Sequence, residues 1–366
     1  MIYFDHAATT PMSAAALATY QQVAKAFYAN SESLHRAGNS AGQLIQEAQT
    51  TIAQTLNLLP EGLIFTSGGT QSNQLGLMAL AQGSSKKEIL VSPLEHASVY
   101  QVLNKLAQTQ EYQIKILPIT ATGQVTAQSL AAAITPNTGL IVIQAVNPIT
   151  GICQNIAELN TTATHYKVPL FVDAVQGLTK INLDLQNLAG FSASGHKFNG
   201  PKGCGLLYLN PNYLTKPLFQ NVFQQNGFLP GTLDTPGILS LTTALMTNLQ
   251  QQVTQFTQLT HLKAALLANL APTIKPVAPW AEFPGICGLL LPHTPGQEAV
   301  TVLGQQGLCF STVSACSLKD PRPDATLTAL GLSASENERY IRLSFGALNQ
   351  VKEVTKFTDI LNRDYA

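Results

Sequence analysis

The strongest constraint on this chain is an alternation. Short apolar runs that end on polar residues recur between stretches of helical pattern. Leu63-Ile64-Phe65-Thr66, Ile89-Leu90-Val91 and the runs at 114–117, 140–146 and 169–172 read as buried strands. Segments at 71–81, 127–134 and 157–166 between them read as helices. Strands alternating with helices specify an α/β fold, a mostly parallel sheet with helices on both faces. In such sheets ligands sit beyond the carboxyl ends of the strands. Thr70, His96, Asp173 and Lys197 each follow an apolar run directly, so the alternation alone points them at one site.

Outside that core, 3–11 is a polar arm closed by Pro11, and Ser13 is placed to cap a helix reaching about Phe27. A loop at 30–38 holds His35, and 40–57 reads as an amphipathic helix. A long helical stretch at 239–270 is the expected bridge into a second unit, followed by a linker-like break at 272–284 with four prolines and Trp280. Strands at 286–291 and 341–345 and a helix at 296–306 follow, with a polar loop at 320–324 expected to be mobile. The chain therefore reads as a large domain over 12–248 and a smaller α+β domain built from 1–11 and 249–366.

Charge excludes some partners. Lys+Arg and Asp+Glu both number 20, so no basic excess recommends nucleic acid or an anionic membrane as the main partner. No apolar run approaches the ~18 residues of a membrane span, and 1–10 lacks the layout of a signal peptide, so the expected location is the cytoplasm. Cys153, Cys204, Cys287, Cys309 and Cys316 form no CxxC pair and no zinc-ligand spacing, which favours free thiols and no metal.

The stretch 192–205 places Ser194, His196 and Lys197 in a Gly-rich turn between apolar runs at 188–191 and 206–209. A desolvated lysine can act as a free amine and form a Schiff base with a carbonyl cofactor; a solvated surface turn is the alternative. The strand at 63–66 runs into Ser67-Gly68-Gly69-Thr70 and then a helix, which suits an anion held by free backbone N–H groups. No GK[ST] follows, so one phosphate group fits better than a triphosphate, with a plain strand-to-helix connection as the alternative. Asp173 lies 24 residues before Lys197. A carboxylate and a lysine so placed suit the ring nitrogen and the aldehyde of pyridoxal phosphate. Thr70, Ser194 and His196 are then the phosphate ligands, and His96 lies on the ring face.

With these pieces in place the chain resembles the cysteine desulfurases, class-V-aminotransferase-like enzymes of PLP fold type I. The matching segments are Tyr3-Phe4-Asp5-His6-Ala7-Ala8-Thr9-Thr10-Pro11, Asn30-Ser31-Glu32-Ser33-Leu34-His35 with Gly38, and Phe65-Thr66-Ser67-Gly68-Gly69-Thr70-Gln71-Ser72-Asn73. They continue through Glu95-His96, Val172-Asp173-Ala174-Val175-Gln176, Ser194-Gly195-His196-Lys197, Pro230-Gly231-Thr232, Val313-Ser314-Ala315-Cys316 and Ile341-Arg342-Leu343-Ser344.

The resemblance implies a role at each matching position. Lys197 carries the Schiff base, Asp173 meets the ring nitrogen, Gln176 the phenolic oxygen, and His96 stacks on the ring and moves protons. Gly69, Thr70, Ser194 and His196 surround the phosphate, and Thr232 reaches the cofactor of the partner in a homodimer. Arg342, one of five arginines, clamps the substrate carboxylate. Cys316, on a loop of the small domain, is the nucleophile that takes sulfur from L-cysteine as a persulfide, leaving L-alanine. A protein acceptor then receives the sulfur for Fe–S cluster assembly or tRNA thiolation. A selenocysteine lyase, an aminotransferase and a diverged interaction protein are the alternatives.

Three positions depart from the family pattern. Pro148 stands where an asparagine usually contacts the phenolic oxygen, leaving neighbouring Asn147 as the candidate at the substrate. The family's Gly-Gly-x-Glu-Arg-x-x-Arg run before Pro230 is replaced by Val222-Phe223-Gln224-Gln225-Asn226-Gly227-Phe228-Leu229. Val313 stands where glycine is common.

Overall fold

The computed structural model describes residues 1–219, 221–313 and 323–366. The first elements are β1 (Ile2–Tyr3), α1 (Ala14–Ala26) and α2 (Arg36–Leu56). Then come β2 (Leu63–Thr66), α3 (Gly69–Gly83), β3 (Glu88–Val91), α4 (Ala97–Gln110), β4 (Gln113–Ile116), α5 (Ala127–Ala133), β5 (Thr138–Gln144), α6 (Ile156–His165), β6 (Leu170–Asp173), β7 (Gly190–Ser194) and β8 (Gly205–Leu209). After the long helix α7 (Thr235–Asn269) follow β9 (Lys275–Val277), β10 (Ile286–Leu290), α8 (Gly296–Gln305), β11 (Leu308–Cys309), α9 (Ala325–Ala329), α10 (Ala334–Glu338), β12 (Tyr340–Ser344) and α11 (Val351–Tyr365).

The apolar runs pair into a seven-stranded sheet in the order β2-β8-β7-β6-β5-β3-β4. Pairings from β7 to β4 are parallel, and β8 runs antiparallel to both β7 and β2. This is the α/β architecture that the alternation predicts. Because side chains alternate across a strand, β5 feeds two cores: Ile141 and Ile143 join one, Leu140 and Val142 the other. Burying such a side chain is worth about 1.5–3 kcal/mol, so a strand buried on both faces is a firm platform for what its end carries. Two small sheets complete the fold: antiparallel β12-β10-β9, and a parallel pair of β1 with β11.

Several boundaries differ from the expected ones for local reasons. Helix α2 starts at Arg36, because the His35 ring nitrogen Nδ1 accepts the Gly38 N–H at 3.2 Å and acts as the cap. The proline-rich break at 272–284 contains β9, a sheet-edge strand that tolerates Pro276. The boundary expected at 248/249 falls inside α7, which runs unbroken across it.

Candidate active site

Strand ends and the N-terminal arm converge on a cavity of about 260 Å³. Lys197 enters it from the one-turn helix Gly195–Lys197 that follows β7. Its Nζ donates to the carbonyls of Ala7 at 2.7 Å and Ala8 at 2.8 Å, so the arm holds the amine at the cavity wall. Asp173, the last residue of β6, lies on the same wall. Its carboxylate accepts from Asn73 Nδ2 at 2.8 Å and from the Val175 N–H at 3.0 Å. Asn73 itself has an unpartnered Oδ1 inside this polar layer.

His96 caps α4. Its Nδ1 accepts the Ser98 N–H at 3.2 Å and lies 2.8 Å from the Ser98 hydroxyl. A backbone N–H can only donate, so Nδ1 is an acceptor and the neutral ring carries its proton on Nε2. Burial pushes the His96 pKa down, Asp173 pulls it up, and Lys197 pushes it further down. Beside it, buried Glu95 accepts the Gln144 N–H at 2.6 Å. Burial, then the Asp173 charge, raise the Glu95 pKa well above its usual value, against the hydrogen bond from the Gln144 N–H.

One end of the cavity is built for an anion. Helix α3 begins at Gly69, and Gly68 before it sits at φ +148°, a backbone conformation that side chains rarely adopt. A Cβ on Gly69 would press within 2.5 Å of the Val175 side chain. Thr70, Ser194 and His196 line the same end. The Ser194 hydroxyl is buried and has no partner among the described residues, which is costly unless a ligand supplies one. The His196 Nδ1 lies 3.1 Å from Thr9 Oγ1. Burial, then Lys197, Lys180 and Lys202, lower its pKa to about 4, so the ring is neutral before an anion arrives.

Arg342, on β12, closes the other side. It is 2% exposed, pairs with Asp5 through Nη2 at 2.9 Å, and donates from Nη1 to the Pro148 carbonyl at 3.0 Å. Its Nε has no partner. A buried guanidinium with donor capacity to spare among the described residues can take a carboxylate.

The groups that line this cavity fit pyridoxal phosphate. An amine, a carboxylate, and a helix N-terminus beside a buried serine hydroxyl would match its aldehyde, ring nitrogen and phosphate. Gln176 also lines the cavity and donates from Nε2 to the Ala7 carbonyl at 2.7 Å. Asn73, Ser98 and Gln144 are lining residues that sequence reasoning gave no role; the spacing of Asn73 after Thr70 was the available signal.

Two candidates are not brought into this cavity. Asn147, expected at the substrate, corrects to a turn residue whose amide is fully used. Its Oδ1 accepts from Ile149 N, Thr150 N and Thr150 Oγ1 at 2.8–2.9 Å. Its Nδ2 donates to Leu94 O at 3.0 Å and Thr326 Oγ1 at 3.2 Å. Thr232 is exposed and lines a separate groove with Ser67, Gln71 and Gly203. Where the family's arginines are missing, two glutamines clamp backbone instead. Gln224 bonds both the N–H and the carbonyl of Gly231, at 2.7 and 2.6 Å. Gln225 does the same to Phe65 on β2, at 2.6 and 3.0 Å. Cys316 lies outside the described residues.

Residues 2–357 match the family model for class-V aminotransferases. The chain is 33% identical to the putative cysteine desulfurase NifS of Bacillus subtilis (strain 168), covering 94% of this chain and 90% of that protein. Among solved structures it is similar to a NifS-like protein, with TM-score 0.91 and 25% identity over 99% of this chain and 98% of that one. It is also similar to a structure titled SspA in complex with cysteine, with TM-score 0.81 and 28% identity over 94% and 99% of the two chains.

Proposed function

The chain belongs to the class-V aminotransferase family as a cysteine desulfurase, and from that premise we propose how its residues turn L-cysteine into L-alanine. The observation that carries the reading is the convergence of Lys197, Asp173, the orphaned Ser194 hydroxyl and Arg342 on one cavity. Pyridoxal phosphate, when bound, supplies an electron sink for the carbon next to the substrate carboxylate. Lys197 would hold the cofactor covalently, and its amine would move the proton at that carbon. Asp173, fixed by Asn73, keeps a proton on the ring nitrogen. Arg342 orients the substrate through its carboxylate.

Cys316 is the nucleophile in this reading. Its thiolate attacks the substrate sulfur, so an S–S bond forms as the C–S bond breaks. The C–S electron pair stays with carbon, which takes a proton and leaves as alanine. Neutral His96 is placed to hand over protons near the ring. The persulfide then passes to a protein acceptor, in Fe–S cluster assembly or tRNA thiolation.

We also assign Thr232 to the cofactor of a partner in a homodimer. No helix among the described residues is long and apolar enough to cross a membrane, and we place the protein in the cytoplasm.

The deciding experiment loads the protein with pyridoxal phosphate and supplies L-cysteine with a reductant. A visible absorption band that disappears in Lys197→Ala, with alanine and sulfide released by the wild type and not by Cys316→Ala, supports the reading. A wild type without the band, or a Cys316→Ala variant that still releases sulfide, overturns it.

A further inference from the structure

Among the described residues, Lys180 is a half-buried lysine beside the site for which neither the sequence pattern nor the reaction above has a use. It follows β6 by seven residues and lies behind the cavity wall, lining a second chamber of about 40 Å³ together with His6, Lys197 and Phe283. Its Nζ donates to Gln176 Oε1 and lies 5.8 Å from the centre of the Phe283 ring. Gln176 in turn donates from Nε2 to the Ala7 carbonyl at 2.7 Å. That carbonyl also accepts from Lys197 at 2.7 Å. Four groups therefore form one chain: Lys180, the Gln176 amide, the Ala7 carbonyl and Lys197.

A glutamine amide is nearly symmetric in shape, so only its partners decide which end is oxygen. Here both ends are specified. The Ala7 carbonyl can only accept and so selects the NH₂ end, and the Lys180 Nζ, as donor, selects the oxygen. We propose that Lys180 is a positioning residue that holds the Gln176 amide with its NH₂ end on the cofactor side of the wall. The inference rests on the cofactor reading above. It adds that the donor from Gln176 to the cofactor's phenolic oxygen is held in place from behind, by a residue that never touches the cofactor.

The electrostatic setting is consistent. The groups facing Lys180 are Lys197 from the turn after β7 and Arg342 from β12, and Arg342 is paired with Asp5. His6 of the arm and His196 feel its charge, and His6 also feels Asp5 and Glu353. Burial, then Lys197 and Arg342, bring the Lys180 pKa down to about 7. The amine donates to Gln176 in either protonation state, so the amide stays fixed on both sides of neutrality.

The test follows the visible band of the Lys197-linked cofactor as a function of pH in the loaded full-length protein. A hydrogen bond given to the phenolic oxygen weakens its share of the Schiff-base proton, so losing that bond raises the titration midpoint. Lys180→Met is expected to raise it by about one pH unit. Lys180→Gln keeps an uncharged donor and is expected to stay near wild type, which also covers a Lys180→Met protein that fails to fold. In a Gln176→Met background, Lys180→Met is expected to cause no further shift. A Lys180→Gln midpoint displaced as far as that of Lys180→Met, or an equal shift with and without Gln176, shows that Lys180 acts by charge and overturns the inference. An unmoved midpoint in every variant overturns it too. A wild type with no visible band overturns the cofactor reading and this inference together, whereas a normal wild-type band with either failure above leaves that reading standing.

Discussion

The Arg342 guanidinium and the Asp5 carboxylate pair at 2.9 Å, joining β12 to the N-terminal arm at the edge of the cavity. Arg342 is buried, and among the described residues the hydrogen bond that remains to its guanidinium when Asp5 is removed is the one to the Pro148 carbonyl. Asp5→Ala is expected to cost about 3 kcal/mol in denaturant unfolding. It is also expected to raise KM for cysteine more than it lowers kcat, because the guanidinium loses the partner that fixes its orientation. Arg342→Ala is expected to raise KM by tenfold or more by removing the carboxylate clamp, about 1.4 kcal/mol or more.

Ser194 offers the second test. Its buried hydroxyl lacks a partner until an anion arrives. Ser194→Ala is expected to leave the melting temperature of the cofactor-free protein unchanged or higher. Retention of pyridoxal phosphate, measured by dialysis, is expected to fall about tenfold, matching a charged hydrogen bond of about 1.5 kcal/mol.

The third prediction concerns pH. Burial, then Lys180, lower the His6 pKa from the usual 6.5 to about 4, with Asp5, the Tyr3 backbone and Glu353 opposing. The folded state therefore refuses a proton that the unfolded state accepts between those values. The stability contributed by keeping His6 neutral is complete above pH 6.5 and is lost as pH falls toward 4. His6→Asn is expected to show a shallower loss of melting temperature over that interval than the wild type. Parallel pH profiles for the two proteins would remove the assignment.

Gln225 supplies a fourth. Its side chain accepts the Phe65 N–H at 2.6 Å and returns a bond to the Phe65 carbonyl at 3.0 Å, acting as one residue of an extra strand on the β2 edge. Gln225→Ala leaves both groups without a protein partner and is expected to cost about 1–3 kcal/mol. Amide hydrogen exchange at Phe65 should speed up more than at Ile89, which sits inside the sheet on β3.

What the sequence made legible follows from which signals are local. The strands of the large sheet announce themselves as apolar runs, and Ser13 as a helix cap is a short-range hydrogen bond, to Ala16 N at 3.1 Å. Lys197, Asp173, His96 and Thr70 were found because a parallel sheet delivers its strand ends to one place. Asn147 was misassigned because closeness in sequence to Pro148 says nothing about which way an amide faces. Strand β9 escaped notice since three residues with a central proline carry no pattern, and pairing with β10 alone makes them a strand. The capping rings of His35 and His96 lie outside the usual serine, threonine and aspartate vocabulary. The bonds of Gln224 and Gln225 span distances in the chain that no spacing rule encodes, as Phe65 to Gln225 does.

The contacts of Lys197 with Ala7 and Ala8 have a consequence for how the protein is made. Residues 7 and 8 receive the amine, residue 197 supplies it, and Arg342 is made 145 residues after that. A growing polypeptide therefore owns no half of the site that works alone. Folding of the large sheet can begin early, but the cofactor meets a finished pocket only after translation has passed residue 342, which ties loading to synthesis of the segment that carries the guanidinium.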